Sequence, residues 1–251
     1  MIDLIKLFIC LVFLLYSCRR DLKTRTVPNE LWGVVFVAAL PLVIADALAQ
    51  GSRYLLHTAV SVVGIYVFVY ILFRIGAFGG ADAKALIALS FIFPAFPDIT
   101  VFGYGLPLSG APPLDIFAFS TLANAVLLTT VVPLGILAYN LCTLSVREIM
   151  EKPWYLAVGY KCRIADLEDR HVRLIEDFEC KDGEVKKKFT RRGVDIDDPV
   201  LERLEQLASR GLIGKRVWVT PGLPFMIPIT AGFVAAAVHG DLISSGMMVL
   251  L

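Results

Sequence analysis

The chain has 251 residues, 57% of them hydrophobic, with a mean hydropathy of +0.71 and a formal net charge of +1. An ordinary soluble domain is about 45–50% apolar, so the composition points to a polytopic membrane protein, and near-neutrality speaks against a nucleic-acid partner. The five cysteines, Cys10, Cys18, Cys142, Cys162 and Cys180, are odd in number and contain no Cys-x-x-Cys pair, which argues against a disulfide framework or a zinc ribbon and for small buried hydrophobes.

Crossing a bilayer takes about 20 apolar residues. Leu4–Cys18 supplies a first span, followed at once by Arg19, Arg20, Lys23 and Arg25. With Lys6 as its single early positive charge and no small-x-small site ahead of the basic cluster, it reads as a retained helix rather than a cleaved signal. Leu31–Ala49 and Leu55–Phe73 give a second and a third span with Arg53 between them. Ala83 to about Phe93 gives a fourth, entered by Arg74 and a Gly79-Gly80 turn, and Phe117–Leu144 a fifth. No Lys or Arg occurs from Ala85 to Val146. Two thirds of all Lys and Arg, and a similar share of Asp and Glu, then fall between Val146 and Arg216.

That charged stretch reads as a small water-soluble α+β unit. Trp154–Cys162 and Arg170–Glu176 alternate as strands do, Asp182-Gly183 signals a hairpin turn into Glu184–Thr190, and Lys215–Val219 is a further strand. Asp198-Pro199 starts a helix whose apolar face is Val200, Leu201, Leu204 and Leu207, ended by Gly211. Leu223 to about Leu251 is the last span. The expected fold is an all-α membrane protein of six transmembrane helices with a small cytoplasmic α+β insert between helices five and six. Residues 1–145 carry the first five helices, 146–220 the insert and 221–251 the sixth. The positive-inside rule puts Arg19–Glu30, Arg74–Asp82 and the insert in the cytoplasm and both termini outside.

Two aspartates, Asp21 and Asp82, fall on that cytoplasmic side at the ends of membrane segments. Carboxylates near lipid are costly and usually functional. Two that meet would share a proton, one ionised to take a proton from water and one protonated to donate to an amide carbonyl, with no metal or organic cofactor required. Each also has a plainer role: Asp21 as a solvated charge among Arg19, Arg20 and Lys23, Asp82 as a cap on the fourth helix. The small residues Gly79-Gly80-Ala81 let another backbone approach closely, or simply turn the chain. In Pro221-Gly222-Leu223-Pro224-Phe225 the prolines remove backbone donors and leave carbonyls free, which makes Pro224 a candidate substrate contact or the start of a helix. Asp46 and Asp241 fall at outer helix ends, His57 reads as an interfacial histidine, and Lys186-Lys187-Lys188 with Arg191-Arg192 as a solvated basic face.

The segment Asp21-x-x-x-Arg25-x-Val27-Pro28-Asn29 resembles the first signature of the type IV prepilin and archaeal preflagellin peptidases, and Gly79-Gly80-Ala81-Asp82-Ala83-Lys84 resembles their second, the Gly-x-Gly-Asp motif. The resemblance implies that Asp21 and Asp82 are the catalytic pair of an integral-membrane aspartic endopeptidase, supported by Arg25, Pro28, Asn29, Gly79, Gly80, Ala81 and Lys84. It also implies a partner: a preflagellin- or prepilin-like precursor with a short basic leader ahead of a hydrophobic helix, cut at the cytoplasmic face of the cell membrane. Ala81 stands where the bacterial pattern has its second glycine. The Cys-x-x-Cys pairs of the large bacterial enzymes, which also N-methylate their product, are absent, and the soluble insert comes late in the chain; both features lean towards the archaeal enzymes without methyltransferase activity. Two other readings of the aspartates are a small ion- or proton-coupled transporter, against which stands the lack of an internal repeat, and a presenilin-like protease that cuts within a transmembrane substrate.

Overall fold

The computed structural model describes residues 1–101, 103–168, 170–181, 184–222 and 224–250. The chain divides into two compact units, one formed by residues 1–129 and 224–251 and the other by residues 130–223.

The first unit is helical. α1 (Ile2–Thr24), α2 (Asn29–Gln50), α3 (Ser52–Arg74), α4 (Gly80–Ile92) and α5 (Phe117–Thr129) are joined, after a small hairpin of β1 (Ile99–Val101) and β2 (Tyr104–Leu106), by the late helices α9 (Met226–Val238) and α10 (Leu242–Leu250). One apolar core runs through it, built from Cys10 and Leu14 of α1, Val35 and Ala39 of α2, Ile65 and Val69 of α3, Leu86, Leu89 and Ile92 of α4, Phe117 of α5 and Ile229 and Phe233 of α9. α5 and α9 pack closely because Gly232 faces α5: a Cβ there would stand 2.3 Å from the Thr121 carbonyl oxygen. At the other end of α1 from Asp21, Lys6 is buried and pairs with Asp46 of α2 and, at 3.5 Å, with Asp3, and its ammonium lies 5.5 Å from the centroid of the Phe93 ring.

Six spans are not found among the described residues. Among the described residues three helices are long and apolar enough to cross a membrane, Asn29–Gln50, Ser52–Arg74 and Phe117–Thr143, the last being α5 continued by α6 (Val131–Thr143). A fourth is possible if the pair Met226–Val238 and Leu242–Met248, bent by 52°, counts as one. The expected first span fails because charge invades both ends of α1: between Lys6 and Arg19 the apolar stretch is shorter than the roughly 20 residues a crossing needs. The expected fourth fails on length. α4 has 13 residues, about 20 Å of helix against a hydrocarbon core of about 30 Å, and it ends ahead of Pro94. The expected sixth is broken at Gly240, whose φ of +111° only glycine adopts readily and whose missing Cβ leaves room for Ser109 Oγ.

The second unit holds α6, α7 (Val146–Glu151), and an antiparallel sheet of order β3-β6-β4-β5, made of β3 (Tyr160–Arg163), β4 (Val172–Lys181), β5 (Glu184–Asp195) and β6 (Arg216–Pro221), with α8 (Asp198–Ser209) between β5 and β6. α8 starts on Asp197, whose side chain accepts from Val200 N at 3.1 Å, one residue before the expected cap. Its Leu204 and Leu207 pack on Leu174, Val217 and Val219. A second cluster is formed by Ile175 and Trp218 with Leu137, Leu144, Ile149, Tyr155 and Leu156. β4 and β5 pair as far as Lys181 opposite Glu184, while the Asp182-Gly183 turn lies outside the described residues. The expected strand from Trp154 narrows to Tyr160–Arg163, because Pro153, lacking an N–H, opens a 3-10 turn over Pro153–Tyr155 instead. Cys10 and Cys162 are buried, whereas Cys142 is exposed.

Candidate active site

Three chain segments of the first unit meet around the aspartates. The first is the end of α1. Asp21 lies in its last turn, and Arg25 closes the helix in the left-handed conformation (φ 53°), its N–H donating to the Asp21 carbonyl at 3.1 Å. Three residues later Pro28, with φ −58°, caps α2, which opens with Asn29.

The second segment is the turn into α4. Gly79, in extended conformation, caps the helix, and Asp82, in its first turn, reaches back so that its Oδ2 accepts the Gly79 N–H at 3.1 Å. The glycine is required for space, since a Cβ on Gly79 would lie 3.0 Å from that same Oδ2, whereas one on Gly80 would meet nothing within 4 Å. Asp82 is buried at 8% exposure, Ala81 is half-buried, and Gly79, Gly80 and Lys84 are exposed. Lys84 Nζ donates to the Asn29 side-chain oxygen, tying the start of α4 to the start of α2 and so one signature segment to the other.

The third segment is the N-terminus of α9, which the sequence pattern marked only through Pro224. Pro224 is buried and its carbonyl accepts from Ile227 N at 3.2 Å, which serves the first turn of the helix. Phe225 stacks edge-on against Phe78 at 5.1 Å. Met226 N donates to Asp21 Oδ2 at 3.5 Å, so one of the unpaired N–H groups at the positive end of α9 finds its acceptor in a site aspartate. Cys18, one turn before Asp21, holds the same corner, with its Sγ 3.2 Å from the Met226 carbonyl and 3.0 Å from Thr230 Oγ1. Phe78, Met226 and Thr230 were not singled out from sequence, Cys18 was read as a small buried hydrophobe, and the Pro221–Phe225 entry to α9 was the available signal.

Burial acts on the Asp82 carboxyl. α4 is not among the helices that can cross a membrane, and Asp82 is pushed up from 3.8 to about 6, first by burial, with a smaller push from the charge of Asp21 and an opposing pull from the Gly79 N–H. Asp21 accepts an N–H at a helix N-terminus. Among the described residues no three His, Cys, Asp or Glu side chains converge as a metal-ligand set.

A profile of the type IV leader peptidase family matches residues 8–137, more than half of the chain and the part that holds both aspartates. The chain belongs to the type IV leader peptidase family. A second profile, described as the type II C-terminus of the archaeal A24 peptidases, matches residues 151–242. Among curated relatives, a preflagellin peptidase of Methanococcus voltae is 24% identical over 240 residues, covering 94% of this chain and 95% of the relative. One of Methanocaldococcus jannaschii is 24% identical over 233 residues, covering 91% of each. The prepilin peptidase EppA of Methanothermobacter thermautotrophicus is 29% identical over 130 residues, which is 50% of this chain and 33% of that longer protein. As a type IV leader peptidase the chain is a hydrolase of the aspartic class, and its long apolar helices agree with the membrane location of the family.

Proposed function

We propose that Asp21 and Asp82 are the catalytic dyad and that the substrate is a preflagellin- or prepilin-like precursor, whose short basic leader is removed at the cytoplasmic face of the membrane. The observation that carries the reading is the buried Asp82 carboxyl, lifted towards neutrality by its surroundings and sensing the charge of Asp21. Asp82 is the proton donor to the scissile carbonyl. Asp21, which accepts the Met226 N–H, is the base that takes a proton from water. Water attacks the carbonyl carbon as Asp21 takes one of its protons and Asp82 protonates the oxygen; collapse of the tetrahedral intermediate then returns a hydroxyl proton to Asp82 and expels the amine as the proton held by Asp21 passes to nitrogen. The exposed Gly79–Gly80 backbone supports an extended leader beside the dyad. Arg19, Arg20 and Lys23, clustered around Asp21 in sequence, support a cytoplasmic orientation of this end.

The test is cleavage by the purified protein of a precursor with a basic leader and a hydrophobic helix, with the new N-terminus sequenced. Asp21→Asn and Asp82→Asn are each expected to abolish cleavage while expression and membrane insertion stay intact. Cleavage retained by either variant rejects the dyad, and a cut inside the hydrophobic helix rejects the leader assignment.

A further inference from the structure

α7 and the 3-10 turn after it, Pro153–Tyr155, have two unlike faces. The inner face is firmly held. Ser145 and Glu148 cap one another, Glu148 N donating to Ser145 Oγ at 3.4 Å and Ser145 N to Glu148 Oε2 at 3.0 Å. Glu148 Oε1 also accepts from Lys161 at 2.8 Å and from Arg216 at 2.9 Å, which fixes the helix to β3 and β6. Ile149 enters the cluster of Ile175, Trp218, Leu137 and Leu144. The outer side is open: Val146 and Met150, one turn apart on α7, are 77% and 75% exposed, and Trp154, in the 3-10 turn that follows Lys152, is 87% exposed. The other tryptophans, Trp32 and Trp218, are 7% and 5% exposed.

We propose that Val146, Met150 and Trp154 form an interfacial anchor whose occupant is the lipid bilayer, with Trp154 at headgroup level. Position identifies the occupant. The membrane-crossing stretch Phe117–Thr143 ends two residues before Ser145, and Leu141 near the end of α6, like Leu134 two turns earlier, is itself exposed as lipid-facing residues are. The stripe therefore continues an apolar surface that already faces lipid. α6 cannot swing away from it, because Asn140 Nδ2 donates to the Leu156 and Gly159 carbonyls at 2.8 and 2.7 Å and so clamps the end of α6 to the segment beyond Trp154. Tryptophan prefers the membrane–water boundary, where its ring is covered and its N–H stays wet. Arg147, 91% exposed on its side chain beside Glu151, is a long cationic group at the level of lipid phosphates. The anchor does not depend on the chemistry of the dyad.

The experiment uses the full chain reconstituted in phosphatidylcholine–phosphatidylglycerol vesicles, comparing wild type with Trp154→Phe, a change at a solvent-open side chain that leaves the packing intact. The wild-type minus Trp154→Phe difference spectrum isolates Trp154. Its emission is expected to be blue-shifted, to lose most of its intensity when the lipids carry bromine near the glycerol end of the acyl chains, to lose less when bromine is at the methyl end, and to resist aqueous iodide. Emission at the wavelength of free tryptophan with full iodide quenching overturns the proposal. Blue-shifted emission that neither brominated lipid quenches overturns it as well, since protein then covers the residue. Val146→Ser/Met150→Ser is expected to move the Trp154 emission towards that of water and to raise its iodide quenching. An unchanged spectrum in that variant counts against the stripe acting as one surface.

Discussion

Burial of Asp82 has consequences for stability as well as for catalysis. Its folded value near 6 lies above the ordinary 3.8, so the fold favours the neutral carboxyl. The associated stability is complete below 3.8 and is lost as pH rises through 6, beyond which the buried charge costs on the order of 3 kcal/mol. Asp82→Asn is therefore expected to raise the melting temperature in detergent at pH 8 and to leave it nearly unchanged at pH 3, and kcat/KM of the wild type is expected to fall on the alkaline side with a midpoint near 6. A profile flat from pH 5 to pH 8 would remove Asp82 as the proton donor. The two glycines beside it should behave differently. In Gly79→Ala the new methyl group stands 3.0 Å from Asp82 Oδ2 at an ordinary φ of −79°, so the loss arises from displacement of the carboxyl rather than from backbone strain. We expect kcat to drop about 10- to 100-fold with KM nearly unchanged. Gly80→Ala has open space and is expected to keep kcat, with any loss appearing in KM as the substrate backbone is held off.

Between elements, the Lys84–Asn29 bond joins the helix that carries Asp82 to the helix that follows Asp21. Lys84→Ala and Asn29→Ala are each expected to lower kcat/KM about 5-fold, the equivalent of roughly 1 kcal/mol, and the double variant no further, because both remove the same bond. Additive losses in a double-mutant cycle would show the two residues acting separately. The motifs themselves were legible in sequence because carboxylates, glycines and a lysine at fixed spacing are local facts. The contribution of α9 was not, because the Met226 N–H reaches Asp21 across 205 positions of sequence and no local pattern encodes that meeting. The helix count was misread for a related reason. Apolar runs mark what prefers lipid, but α4 stops ahead of Pro94, α1 is invaded by Lys6 and Arg19, and the last run breaks at Gly240; crossing ability depends on where helices end. In the second unit, α8 and the strands after position 170 were legible from alternation and capping, while Pro153 overrode the alternation around Trp154.

For the molecule as a whole, the two units should respond differently to acid. Glu148 is held down at about 2 against its ordinary 4.5, first by the Lys161 hydrogen bond and then by the Ser145 N–H and hydroxyl. Its contribution is complete above 4.5 and is lost as pH falls towards 2. Proteolysis within residues 146–220 is expected to rise over that window in the wild type, and Glu148→Gln is expected to show raised cleavage there at every pH, with residues 1–129 unaffected by the substitution. Equal acid sensitivity of wild type and Glu148→Gln would remove this carboxylate as the cause. The first unit carries a constraint of another kind. Lys6, Cys10, Leu14 and Ser17 form one inward row along α1, and Asp21 extends it after one more turn, with the row fixed at its far end by the Lys6–Asp46 pair. The interval from Lys6 to Asp21 thus works as a phase setting. Exchanges along its outer side leave the dyad aligned, but one inserted or deleted residue would rotate the carboxylate by about 100° around the helix axis, so the length of α1 is quantised in whole turns even where its composition is free to drift.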